Sequence, residues 1–140
     1  MAGDTRISNG FSIVSRDVSK IAKLGPKSLI ATAGMYADFI ALSKYLKTRL
    51  QTYEFNIGKS ANTKSIAALL SNTLYGKRFF PYYTFNILAG LDENGDGIVY
   101  GYDAIGSYEP KSYLCQGTAI EMILPILDNQ LQGKEWSGGF

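Results

Sequence analysis

A chain of 140 residues with 46% hydrophobic and 19% charged residues has the composition of one globular domain and is too apolar to remain disordered. Its 14 basic and 12 acidic residues are spread along the chain with a net charge of +2, so no basic block offers a footing for nucleic acid. There is no histidine and a single cysteine, Cys115, which removes Ser-His-Asp and Cys-His catalysis, histidine-ligated zinc, an internal disulfide and any cysteine metal cluster.

From the N-terminus, Met1 to Gly10 is polar, without the basic tip and apolar run of a signal peptide. Residues 11–17 (FSIVSRD) alternate apolar and polar and predict a strand with Phe11 and Ile13 on one face. Gly25-Pro26 marks a turn, and Ser28 to Ala33 predicts a strand ending at Gly34. From Met35 the period becomes helical. Tyr36, Phe39, Ile40, Leu46, Leu50 and Tyr53 share one face, with Lys44, Lys47 and Arg49 toward solvent. The segment Asn56 to Ala61 breaks that helix at Gly58. Asn62 can cap a second helix by accepting an orphan N–H, with Ile66, Leu69, Leu70, Thr73 and Leu74 as its buried stripe and Gly76 as its stop.

Residues 82–91 (YYTFNILAGL) and 98–103 (IVYGYD) predict two strands around the turn Asp92 to Gly97, and 111–117 (KSYLCQG) a further one in which Cys115 is a small apolar side chain. A third helix is expected over about Thr118 to Leu131, kinked at Pro125. Residues 132–140, with three glycines and no periodicity, form a loose tail, leaving 1–131 as the domain. No apolar run approaches the roughly 20 residues of a spanning helix, so a soluble intracellular protein without a membrane partner is expected. Two adjacent helices covering one face of an antiparallel sheet make the fold class α+β.

Two patterns could carry chemistry. Asp92, Asn94, Asp96, Gly97 and Asp103 fall at positions one, three, five, six and twelve of a calcium loop. The aspartate at twelve has a short arm and the flanks read as strands, so an Asn-Gly-Asp-Gly hairpin turn explains the same residues better. Asp4 with Arg6 and Lys20 is the second: a carboxylate beside a lysine keeps the amine charged or lets it tune a hydroxyl nucleophile, while two surface charges on adjacent strands are the plainer reading. The aromatic cluster Phe79, Phe80, Tyr82 and Tyr83 is read as core packing, with a subunit contact as the alternative.

Residues 3–8 (GDTRIS), 15–20 (SRDVSK), 34–38 (GMYAD), 75–83 (YGKRFFPYY), 88–93 (LAGLDE) and 128–130 (DNQ), in this order, resemble the β-type subunits of the 20S proteasome core. The run from Leu74 to Tyr83, with Gly106-Ser107-Tyr108 and Leu127-Asp128-Asn129-Gln130, is most similar to the non-catalytic type-1 class at the sixth position of the β ring. The similarity covers roughly residues 3–131.

The resemblance implies an N-terminal nucleophile hydrolase-like four-layer αββα sandwich, incomplete at its edge strands and last helices. Active members attack with a threonine freed at the N-terminus, supported by an aspartate and a lysine at the positions of Asp4 and Lys20. In this chain that threonine has no counterpart before Asp4, and Thr5 has a blocked nitrogen. Cys115-Gln116-Gly117-Thr118 stands where active members carry a serine. The expectation is therefore a non-catalytic structural subunit with proteasome α and β subunits as partners, in cytoplasm and nucleus, contributing to ubiquitin-dependent degradation with no cofactor or metal. Asp4 and Lys20 would be a retained ion pair. The alternatives are an active threonine peptidase given an upstream threonine, a calcium-binding loop protein, or a short form that does not assemble. Strands missing at both ends would leave a sheet edge and an apolar face uncovered, which favours aggregation or pairing with another chain.

Overall fold

The computed structural model describes residues 1–131, so the expected loose tail, 132–140, lies outside the described residues. The elements in order are β1 (Ile7–Asn9), β2 (Ser12–Ser15), β3 (Ile21–Gly25), β4 (Ser28–Gly34), α1 (Tyr36–Ile57), α2 (Thr63–Tyr75), β5 (Thr84–Leu91), β6 (Gly97–Tyr102), β7 (Tyr108–Lys111) and α3 (Ile120–Leu131). Strands β3 to β7 form one antiparallel sheet in sequence order, and β1–β2 is a separate hairpin. Because two helices separate β4 from β5, the chain returns to the end of the sheet that it left. The neighbours therefore run antiparallel, with Gly34 opposite Thr84 and Ser28 opposite Gly90.

Strand alternation sends Ile30, Leu88, Tyr100 and Tyr102 to one face, where they meet Phe39, Leu42, Leu46 and Leu50 of α1 and Ile66, Ala67, Leu70 and Leu74 of α2. The α1 stripe is turned slightly from the expected one: Leu42 is buried, whereas Ile40 is half exposed. Both helix ends follow the sequence signals. Asn62 Oδ1 accepts from the Ser65 N–H at 2.7 Å, and Gly58, at φ 79°, lets its N–H close on Glu54 O.

A polar seam fixes α2 on the sheet. The Thr63 hydroxyl donates to the Leu91 carbonyl at 2.6 Å and lies 2.9 Å from the Ser28 hydroxyl. Gly90 opens the room for it, since a Cβ there would stand 2.5 Å from both Thr63 Oγ1 and the Lys27 carbonyl. Farther along, the Tyr102 hydroxyl donates to the Ala67 carbonyl at 2.7 Å. Burial pushes the Tyr102 phenol well above its ordinary range, so it stays a donor. Every buried side-chain N or O among the described residues has a partner.

The opposite face of the sheet carries Leu29, Ala31, Ala33, Phe85, Ile87, Ala89 and Val99, and none of these is fully buried. The segment after β7 crosses this face, with Leu114 against Gly101 and Gly117 beside Ala33, but α3 buries no residue. Of the four expected layers, the described residues complete one helix layer and one sheet, which are the α+β core of the fold.

Four local expectations are corrected. Residues 111–117 are not a strand. Asp103 caps the turn after β6, the chain reverses early, and the edge strand is Tyr108–Lys111. The strand expected over 11–17 shrinks to Ser12–Ser15, with Phe11 fully exposed in the β1–β2 turn. Strands β1 and β3 were not signalled, because each is short and mixes polar residues or glycine into its run. Lastly, Phe79 and Phe80 are not core: both are exposed, and only Tyr82 of that cluster packs against the interior.

The seam makes two stability predictions. Gly90→Ala should cost about 1–3 kcal/mol, since backbone and hydroxyl cannot both retreat from the added methyl. Tyr102→Phe should cost about 1 kcal/mol, for the lost bond to Ala67. Urea unfolding monitored by circular dichroism measures both, with the denaturant slope unchanged.

Candidate functional site

The leading segment is tied to the stretch before β3 by two bonds, and that stretch to β4 by a third. The Thr5 hydroxyl donates to the Arg16 carbonyl at 2.7 Å, the Val18 N–H to the Thr5 carbonyl at 3.1 Å, and the Thr32 N–H of β4 to the Lys20 carbonyl at 3.1 Å. Together they register Asp4 against Lys20, and Lys20 Nζ reaches Asp4 Oδ1 at 2.6 Å. The second Asp4 oxygen accepts from the Arg6 N–H at 3.3 Å, so Arg6 joins through its backbone rather than its guanidinium. Lys20's side chain is only 24% exposed but that of Asp4 is 68% exposed, which leaves the pair well screened by solvent. The hydrogen bond from Lys20 still holds the Asp4 carboxyl below its ordinary range, against a smaller opposing effect of burial.

The neighbouring hydroxyls point elsewhere. Thr5 is bonded to Arg16 and Ser19 donates to the Ile21 carbonyl at 2.9 Å, so among the described residues no hydroxyl is bonded to either member of the pair. The segment Cys115 to Thr118 approaches the same strand: Gly117, at φ 115°, lies against Ala33, one residue beyond Thr32. The buried Cys115 thiol faces the Ile120 carbonyl at 3.7 Å, and burial raises its pKa. A protonated, enclosed thiol is a poor nucleophile. Chemically, this corner can hold a closed charge pair on a rigid β scaffold.

The calcium pattern comes apart along β6. Asp92 Oδ1 accepts from the N–H groups of Asn94 at 2.8 Å and Asp96 at 2.9 Å, and Gly95 takes the positive φ of the turn. Asp103 does the same for a second turn, accepting from Ile105 and Ser107. The six-residue strand between the two turns keeps Asp103 roughly 20 Å from the first. Among the described residues no group of three acidic or cysteine side chains is placed to hold a metal. One contact had no signal in the sequence. The Tyr113 hydroxyl donates to Asp128 at 2.5 Å, giving the aspartate of the Asp-Asn-Gln motif a structural partner across 15 residues.

Two outcomes follow. Asp4→Asn should lower stability at neutral pH by under about 1 kcal/mol. Because the folded-state pKa is depressed, that difference is present above the ordinary carboxylate range and disappears as pH falls through it; thermal melts of both proteins across pH 2–7, with these bounds being roughly the carboxylate window, measure it. Millimolar calcium should leave the melting midpoint unmoved, and a rise would mean that Asp92 surrenders its turn bonds to the ion.

Comparison with known proteins agrees with the motifs. The family model for proteasome subunits matches residues 1–135. The proteasome subunit beta type-1 of Arabidopsis thaliana is 52% identical over 132 residues, covering 94% of this chain and 59% of that protein. That of Dictyostelium discoideum is 52% identical over 132 residues, covering 94% of this chain and 56% of its own length. The beta type-1-B subunit of Carassius auratus is 47% identical over 134 residues, covering 96% and 56%. The chain thus spans under three fifths of the length of these relatives, and the similarity to the type-1 class read from the motifs extends over nearly all of it. On a match that runs from the first residue past the end of α3, the chain belongs to the proteasome subunit family.

Proposed function

We propose that this chain is a non-catalytic structural subunit of the 20S proteasome core particle, packed among other β subunits and against α subunits in cytoplasm and nucleus. Its contribution to ubiquitin-dependent degradation would be to build the chamber wall rather than to cut. The non-catalytic part is supported by the resemblance to the type-1 class, whose name the relatives carry, and the Asp4–Lys20 contact is the ion pair such a subunit would retain. The type-1 names of its relatives support the assembly part.

An active threonine peptidase would keep the same aspartate and lysine, with the amine also reaching a nucleophile. The bond from Lys20 to Asp4 is common to both readings, so the peptidase assay separates them. The composition, with a net charge of +2, does not call for nucleic acid, and among the described residues no helix is long and apolar enough to cross a membrane.

The test is native sizing of the tagged chain from cell lysate, with mass spectrometry of what co-migrates. Recovery in one large particle together with α and β proteasome subunits is the expected result; a chain that runs alone would end the structural reading. A peptidase assay on the purified chain is expected to give no turnover, and turnover would restore the enzyme reading.

A further inference from the structure

The turn between α2 and β5 presents two adjacent phenylalanines to solvent. Phe79 is 102% exposed and Phe80 82%, with Tyr75 and Tyr83 exposed on either side. Scattered exposed apolar residues are ordinary, but adjacent phenylalanines on one turn form a patch.

The patch is held rigidly. The Lys77 N–H donates to the Leu74 carbonyl at 3.1 Å, Arg78 to Tyr75 at 2.9 Å, and Phe80 to Lys77 at 3.1 Å, so successive tight turns follow the end of α2. Pro81 then fixes the next φ. Beyond it the Tyr83 N–H donates to Asp38 Oδ2 at 2.8 Å, and the Tyr83 carbonyl accepts from the Met35 N–H at 2.8 Å. Gly34, at φ 117°, permits that approach, because a Cβ there would stand 2.4 Å from the Tyr83 oxygen. Under the turn, Tyr82 packs on the core with Lys77 Nζ 4.4 Å from its ring centre. Both ends and the floor of the turn are therefore pinned while the two rings project. A contact ordered before binding loses little further freedom when it binds.

Charge selects the partner. Lys77, whose Nζ lies over the Tyr82 ring, and Arg78 directly precede the rings, and among the described residues neither is in an ion pair; the two pairs present are Lys20–Asp4 and Lys111–Glu109. The one carboxylate bonded into this turn, Asp38, is engaged by the Tyr83 N–H. Two copies meeting face to face would set this basic pair against itself, which disfavours a second copy. Aromatic rings with an arginine beside them are the residue types that dominate binding energy at the centre of interfaces.

We propose that Phe79 and Phe80 are the anchor by which this chain seats in a neighbouring proteasome subunit, entering an apolar pocket with carboxylates at its rim. The proposal rests on the structural-subunit reading and names the contact which that reading needs.

The test uses the tagged full chain as wild type, as Phe79→Ala/Phe80→Ala, and as Arg78→Glu, each measured for melting midpoint and for its share in the large particle. The double variant, changed only at exposed side chains, is expected to keep its midpoint and to lose at least about tenfold of its share in the particle. Arg78→Glu, which keeps the rings, is expected to lose a smaller part and to lose it more at low salt. If wild type assembles and both variants assemble equally well, the anchor is wrong while the subunit reading stands. If wild type itself runs alone, both fall. If the pure wild-type chain dimerises and the double variant does not, the occupant is a second copy and the proposal is overturned.

Discussion

Two hydroxyls and a missing side chain decide how the helices sit. Thr63 at the start of α2 meets Ser28 of β4 and the Leu91 carbonyl of β5 in a space that exists because residue 90 is glycine. That contact sets the height of α2 above the sheet, and from it the rest follows. Ile66, Ala67, Leu70 and Leu74 share a core with Leu88 and Tyr100, while Tyr102 reaches the Ala67 carbonyl about one turn beyond Thr63. Hydrophobic burial drives the packing, but it is non-directional. The short polar seam supplies the register.

Much of this frame was legible in the chain, for reasons that can be named. Asn62, Gly58 and the 3.6-residue recurrence of leucine announce α1 and α2, because caps and stripes are local features. The β5–β6 hairpin was legible too, since its Asn-Gly-Asp-Gly turn lies between two alternating runs. What escaped was whatever depends on a partner distant in sequence. Strand β3, with Lys23 and Gly25 in five residues, is a strand because β4 pairs with it. Phe79 and Phe80 looked like core because aromatics usually are, and sequence alone does not say that the chain turns them outward.

At the candidate site the identity of the residues came from resemblance and their relation from geometry. Asp4 and Lys20 are 16 positions apart, with nothing in that spacing to demand contact. They meet because Thr5, Val18 and Thr32 lock the leading segment onto the sheet. The calcium pattern, which a hairpin turn explains better, differs in the opposite way. Its spacing was right along the sequence, yet an extended strand, which rises over 3 Å per residue, carried the last oxygen away from the first. One-dimensional patterns of ligands transfer only when the intervening backbone coils.

The insertion of both helices between β4 and β5 also bears on how the molecule is made. The longest strand pair of the sheet joins Ser28–Gly34 to Thr84–Leu91, with residues 35–83 lying between Gly34 and its partner Thr84. Closing that span early would confine a long segment for a few hydrogen bonds, a cost that grows with the length closed. The α1–α2 hairpin is built from contacts near in sequence and is the cheaper structure to form first. Once formed, it brings the ends of the two strands together and shortens the remaining search. The connectivity thus makes the central ladder a closure over 49 intervening residues that the helices between its strands shorten.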